Sequence, residues 1–304
     1  MSAPLRLGTR RSALALAQSG AVAADLVGRL GRTVDLVEIT TRGDSDAGSI
    51  ATLGGTGVFV SALREALLAG QIDVAVHSLK DLPTAPADGV VLAAVPPRGD
   101  PRDVLCCPAG WTLGELPAGS RVGTGSPRRA AQLRALGLGL DVVPIRGNVD
   151  TRLKKAIDGE VDAVVLARAG LARLDRLDAV SEVIDPIQLL PAAGQGALAV
   201  ECRAGDGELR DLLRALDDPE SRACVTAERA LLAALEAGCT APVGALADLA
   251  DDELYLRAAV CASDGSEVLR QSLTGPADAP AQLGERLAAV LVDDGAADLV
   301  AGAR

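Results

Sequence analysis

The chain has 304 residues, 49% of them hydrophobic but only 1% aromatic, and a formal net charge of −11. That length suits two or three domains, and that charge argues against nucleic acid or an anionic membrane as partner, because each requires a basic footprint. The six cysteines (Cys106, Cys107, Cys202, Cys224, Cys239, Cys261) form no CxxC pair and His77 is the single histidine, so no metal centre is expected and free thiols in a reducing compartment are.

The N-terminus lacks the basic-then-apolar run of a secretory leader, and nowhere do about 18 apolar residues run uninterrupted. A soluble cytoplasmic protein is the expectation. Residues 5–8 read as a short strand, and Ser12 is placed to cap a helix to about residue 30, where Gly31 would stop it. A strand over 34–40 precedes a polar, glycine-rich loop over 41–57. GGTG at 54–57 lacks the GxxxxGK[ST] pattern, which argues against a nucleotide. A helix over 58–69, a buried strand over 72–76 and a strand over 90–95 follow.

Pro96, Pro97 and Pro101 mark a crossing into a second unit. Its pattern is strand 121–123, helix 127–136, strand 140–145, helix 149–157, strand 161–167 and helix 168–174. Strands alternating with helices predict parallel sheets. Residues 186–196 form a second crossing and 197–202 another strand, as if the chain returns to the first domain. Beyond 217 a helix over 221–235, strands over 243–247, 253–261 and 267–274, and a helix over 281–292 read as a small α+β domain. The expected fold class is α/β, with domains over 1–96 plus 197–216, over 101–190, and over 219–304.

In GTGSPRR (123–129) a strand ends in glycines and Ser126-Pro127 opens a helix, whose outward N–H groups favour an anion. Arg128 and Arg129 oppose the helix dipole there by about 0.3–1 kcal/mol each. Either something negative binds, or this is a capped surface helix with incidental arginines. Arg146, Arg152 and Arg173 fall in the same unit, where residues 121–173 hold ten Lys/Arg against five Asp/Glu; guanidinium forks suit carboxylates. HSLKDLP (77–83) sets Lys80 beside Asp81 after a strand. An aspartate there moves protons or steadies a cation, or simply makes a turn. His77 is read as a packed strand-end histidine rather than a catalyst. Cys239 follows a helix end and a glycine; it is a nucleophile, an attachment point or merely a free, partly exposed thiol. AAGQG (192–196) is a hinge or close-approach loop in which Gln195 is placed to hydrogen-bond a ligand.

Ten segments in this order resemble the porphobilinogen deaminase (hydroxymethylbilane synthase) family: LRLGTRRSALALAQ, TRGD, HSLKDLPT, DPRDVL, VGTGSPRRAAQL, RGNVDTRL, DAVVLARAGLARL, LPAAGQGALAVECR, TAERALL and GCTAPVGA. The resemblance implies two α/β lobes like those of periplasmic anion-binding proteins around a cleft, plus a small α+β domain bearing the cofactor cysteine. It implies a transferase of porphyrin and heme biosynthesis that carries a dipyrromethane on Cys239 through a thioether. On that primer it joins four porphobilinogen units head to tail with loss of ammonia, and hydrolysis then releases hydroxymethylbilane.

By the same resemblance Asp81 is the catalytic aspartate. Arg10, Ser12, Ser78, Lys80, Thr124, Ser126, Arg128, Arg129, Arg146, Arg152, Arg173 and Gln195 match positions that hold cofactor or substrate, Phe59 matches the aromatic near the pyrroles, and a monomer is expected. The chain departs from the family where Thr52 and Thr56 stand in place of loop lysines, and at Gly125 and Pro127. The competing reading is a two-lobed small-anion binding protein; the third domain with Cys239 counts against it.

Overall fold

A computed structural model describes residues 3–39, 57–237 and 241–301. The chain divides into two compact units, one of residues 1–98 and 197–222, the other of 99–196 and 223–304. In chain order the described elements begin with β1 (Leu5–Thr9), α1 (Ala13–Leu30), β2 (Val34–Glu38), α2 (Gly57–Leu68), β3 (Val74–Ser78) and β4 (Val90–Ala94). Next come β5 (Asp103–Cys106), β6 (Arg121–Thr124), α3 (Pro127–Ala135), β7 (Asp141–Pro144), α4 (Val149–Ile157), β8 (Ala163–Ala167), α5 (Arg168–Arg173) and β9 (Glu182–Val183). The chain ends with β10 (Leu198–Arg203), α6 (Gly207–Leu213), α7 (Pro219–Ala234), β11 (Val243–Ala250), β12 (Glu253–Cys261), β13 (Val268–Pro276), α8 (Pro280–Asp293) and α9 (Ala296–Ala301).

Local chemistry explains the helix ends that matter for function. Ser12 caps α1, its Oγ accepting from Ala15 N–H at 3.3 Å, and Gly31 ends the helix in the left-handed region at φ 61°. Ser126 caps α3 with Pro127 in the first turn, and Asn148 caps α4 by accepting from Thr151 N–H at 2.8 Å. With so few aromatics, the cores are aliphatic: Leu7, Leu26, Leu63 and Ile72 in the first unit, Leu105, Leu113, Leu133 and Leu189 in the second, are all essentially inaccessible. Each such side chain contributes about 1.5–3 kcal/mol by leaving water.

The fold class is α/β, but the expectation of parallel sheets is corrected. The first sheet runs β2-β1-β3-β10-β4, with β1 parallel to β2 and β3, and β10 antiparallel to both β3 and β4. The second runs β7-β6-β8-β5-β9, with β6 parallel to β7 and β8, and β5 antiparallel to β8 and β9. Both sheets therefore follow one plan: a single antiparallel strand, β10 or β5, enters after a crossing and lies between the three parallel strands and an edge strand that runs in their direction. Periodicity registers the βαβ strands but not the direction of a strand that enters after a crossing.

The strand β5, absent from the expectation, opens with Asp103 and lies between prolines and basic residues, a composition that reads as loop. At the crossings Gly99 N–H donates to Gly196 O at 3.2 Å. A Cβ on Gly196, whose φ is 89°, would lie 2.3 Å from Gly99 O, so glycine is required for this approach.

The small C-terminal sheet is the antiparallel meander β11-β12-β13. Alternate residues of its strands, among them Ala245, Leu254, Leu256 and Val260, pack with Ala227 and Leu231 of α7 and Leu283 and Leu287 of α8. Among the described residues no helix is long and apolar enough to cross a membrane.

Candidate functional site

In the first unit, adjacent parallel strands β1 and β3 end on the same edge, where loops of an α/β sheet meet ligands. A cavity of about 90 Å³ opens there, lined by Arg10 and Ser12 after β1, Gln18 of α1, and His77, Ser78 and Asp81 at the end of β3. Gln18 Nε2 donates to Ser78 Oγ at 2.8 Å and so ties α1 to β3. Asp81 sits in a single 3-10 turn, Leu79–Asp81, held by Leu79 N–H donating to Ala197 O at 3.0 Å. Lys80 shares that turn without lining the cavity. Arg10, Ser12, Ser78 and Asp81 are thus brought together, with a guanidinium and a carboxylate in one small space.

In the second unit β6, β7 and β8 are parallel neighbours whose ends carry the other expected residues. Thr124 is buried at the end of β6, its Oγ1 accepting from Ser126 N–H at 3.2 Å. Gly125 follows: a Cβ there would lie 2.8 Å from Ile145 O and 3.5 Å from a terminal nitrogen of Arg152. The departure at Gly125 thus makes room for Arg152, whose Nε donates to Gly147 O at 2.8 Å. Arg146 is exposed on the loop after β7. Arg173, at the end of α5, donates to Gly196 O at 2.5 Å.

Arg128 and Arg129 sit differently. Arg128 is 4% exposed and donates to Leu190 O and, at 2.8 Å, to Asp103 Oδ2. Arg129 is 5% exposed and reaches Asp103 Oδ1 through Nη2 at 2.7 Å and Nε at 3.1 Å, and Val165 O through Nη1 at 3.0 Å. Gln195 spends both amide N–H groups inside the protein, on Pro101 O at 2.6 Å and Asp103 Oδ1 at 2.8 Å. These three residues face Asp103 rather than open space. Asp103 is the residue the motifs missed; it lies in the DPRDVL segment, but nothing local shows that two guanidiniums converge on it.

The electrostatics separate the arginines into two kinds. Asp103 is fully buried, which by itself raises its pKa, yet Arg128, Arg129 and the Gln195 hydrogen bond hold it at about 2. Arg152, by contrast, is pulled down by burial and by its neighbours Arg129 and Arg146, and Arg173 by burial alone. Among the described residues neither forms an ion pair. The second unit therefore stores positive charge in want of an anion, and planar guanidiniums suit carboxylates. The donor set fits the acetate and propionate groups of a dipyrromethane.

Substituting Arg152 tests this directly. Arg152→Ala removes a half-buried cation repelled by its neighbours, so stability should hold or rise slightly while occupancy by a carboxylate-bearing ligand falls. A urea melt and an intact-mass spectrum of the purified variant check both arms. Cys239, with Gly238 and Thr240, lies outside the described residues, as do the side chain of Phe59 and nearly all of the 41–57 loop, including Thr52 and Thr56.

The α/β scaffold thus carries cationic strand-end loops in one unit and a carboxylate-bearing cavity in the other. Comparison with known families narrows this. Residues 5–211 match the family described as "Porphobilinogen deaminase, dipyromethane cofactor binding domain", and residues 222–293 match "Porphobilinogen deaminase, C-terminal domain". The chain is 55% identical to a porphobilinogen deaminase of Nocardia farcinica over 306 residues, covering 98% of this chain and 88% of that one. It is 55% identical to one of Mycobacterium tuberculosis over 309 residues, covering 99% of both. Among solved structures, a periplasmic substrate-binding protein of an ABC transporter from Coxiella burnetii is similar over 72% of this chain and 94% of that one, with 13% identity and a TM-score of 0.43. The chain belongs to the porphobilinogen deaminase family.

Proposed function

We infer that this chain is a transferase that polymerises four porphobilinogen units head to tail on a dipyrromethane primer bound through Cys239, with loss of ammonia and final hydrolytic release of hydroxymethylbilane in tetrapyrrole biosynthesis. The observation that carries this reading is the match of both family domains across nearly the whole chain. The guanidiniums of Arg152 and Arg173, which form no ion pair among the described residues, support it, because a growing oligopyrrole accumulates carboxylates.

When bound, the dipyrromethane supplies a pyrrole whose free ring carbon is the nucleophile. Arg146, Arg152 and Arg173 would hold its carboxylates, with Thr124, Ser126 and the α3 terminus as the seat. Arg128, Arg129 and Gln195 shape that seat from below through Asp103. Arg10, Ser12, Ser78 and Lys80 receive the polar groups of the incoming porphobilinogen. Asp81 presents negative charge to the carbon that turns electron-poor as ammonia departs. The domains are 1–96 with 197–216, 101–190, and 219–304 carrying Cys239, and the enzyme works as a cytoplasmic monomer.

Intact mass decides the matter. Purified protein should exceed its sequence mass by two pyrrole units, and Cys239→Ser should show the bare mass and no tetrapyrrole production. Protein of bare sequence mass that still makes hydroxymethylbilane would defeat the tethered-primer reading.

A further inference from the structure

The single histidine of the chain lines the same cavity as Asp81 and Arg10, and it belongs to a buried array that the function above does not use. His77 pairs across the sheet with Ala199, which sets its side chain diagonally beside that of Glu201 on β10. Nε2 lies 3.3 Å from Glu201 Oε2, with side-chain exposures of 5% and 3%. That separation is long for a hydrogen bond, but Nε2 is sealed from solvent and Glu201 is the acceptor beside it.

Glu201 is itself clamped. Arg64 of α2 donates to it twice, Nη2 to Oε1 at 2.6 Å and Nε to Oε2 at 3.0 Å. Burial alone would raise the pKa of this carboxyl, but the contacts with His77 and Arg64 hold it at about 2. An ionised carboxylate only accepts, so the nitrogen against it must carry the proton. A neutral His77 is then the Nε2–H tautomer, and Nδ1, with its lone pair, is the ring nitrogen left for the cavity. Among the described residues the charged groups around this ring are Glu201 from β10, Arg64 from α2, Arg10 after β1 and Asp81 after β3.

We propose that His77 is a substrate-contacting residue: its Nδ1 accepts a hydrogen bond from the aminomethyl ammonium group of porphobilinogen, while Arg10 meets a carboxylate of the same molecule. The cavity thereby reads both charges of a zwitterionic pyrrole. The inference rests on the transferase reading and deepens it. No proton transfer to His77 is needed. The carbon–nitrogen bond breaks with its electron pair going to nitrogen, so the group arrives as ammonium and leaves as ammonia. The positive charge stays on the pyrrolylmethyl carbon, near Asp81. Glu201 and Arg64 are positioning residues that set the tautomer. Protonation of Nδ1 would turn the acceptor into a cation facing a cation and abolish the contact.

One histidine makes the test clean. Tag-free holoenzyme labelled with ¹⁵N-histidine gives a single pair of ring nitrogen signals. In the active enzyme they should report Nε2–H with Nδ1 bare. In His77→Gln the amide nitrogen takes the place of Nε2 and keeps the contact to Glu201, but nothing replaces Nδ1. This variant should retain its two-pyrrole mass while kcat/KM falls by about 10-fold or more, the scale of a lost hydrogen bond to a charged group.

An Nδ1–H tautomer would overturn the proposal, as would a His77→Gln enzyme with wild-type kcat/KM. If that variant does not fold, the wild-type tautomer still decides. Failure of the transferase reading would look different: wild-type protein without pyrrole mass that leaves porphobilinogen unconsumed.

Discussion

Asp103→Asn should destabilise the protein by about 3–5 kcal/mol at neutral pH, the usual cost of removing one partner from a buried ion pair. Asparagine keeps the shape and one acceptor oxygen, so no cavity opens; what is lost is the charge that answers Arg128 and Arg129. Both guanidiniums are almost inaccessible and have no water to turn to. The penalty should depend on acidity in a definite sense. In the folded protein Asp103 titrates at about 2, below its ordinary 3.8. Its stabilisation is therefore complete above pH 4 or so and is lost as pH falls toward 2. Urea melts of the two proteins should differ most at neutral pH and converge in acid. A difference below about 1 kcal/mol at pH 7 would mean that the pair of arginines is satisfied by Leu190 and Val165 alone. Because the network also fixes the helix start above which Arg152 sits, the variant should carry less primer by intact mass.

Asp81→Asn should leave the fold and the primer in place and remove most turnover. The substitution is isosteric and lies on the cavity wall, outside the packed networks, so stability should change by no more than about 0.5 kcal/mol. Turnover should fall by about 100- to 10,000-fold, the range lost when a positioned acid–base or charge-stabilising group is removed. Single-turnover consumption of porphobilinogen, with mass spectrometry of the protein before and after, separates the outcomes. A variant that keeps its two-pyrrole mass but accumulates no longer chain supports a role in the bond-making cycle. Near-normal turnover would take Asp81 out of it.

The elements that chain neighbours determine were legible before any coordinates. Ser12 and Ser126, placed at helix starts by the sequence, each accept from an N–H three residues on, and helix α4 spans the predicted 149–157. The aliphatic cores follow from composition. The family motifs marked the strand-end loops, and these loops do gather Arg10, Ser78 and Asp81 in one unit and Arg146 and Arg152 in the other. Strand β5 escaped notice because a buried strand that begins with a charge looks like a loop until its counter-charges are known.

Those counter-charges come from 25 and 26 residues further along the chain, and Glu201 meets Arg64 across a separation of 137. A sequence states that Arg128, Arg129 and Arg152 are cations near a helix start. It does not state which of them is already neutralised. Only the folded sheet, by bringing Asp103 beneath two of the three and leaving Arg152 among like charges, divides structural arginines from those waiting for a ligand. Likewise it showed a histidine at a strand end, while the tautomer that gives this histidine its chemistry was decided by a carboxylate on a strand that returns from the far side of the second crossing. Charge type and local geometry are properties of neighbours in sequence; charge compensation is a property of neighbours in space.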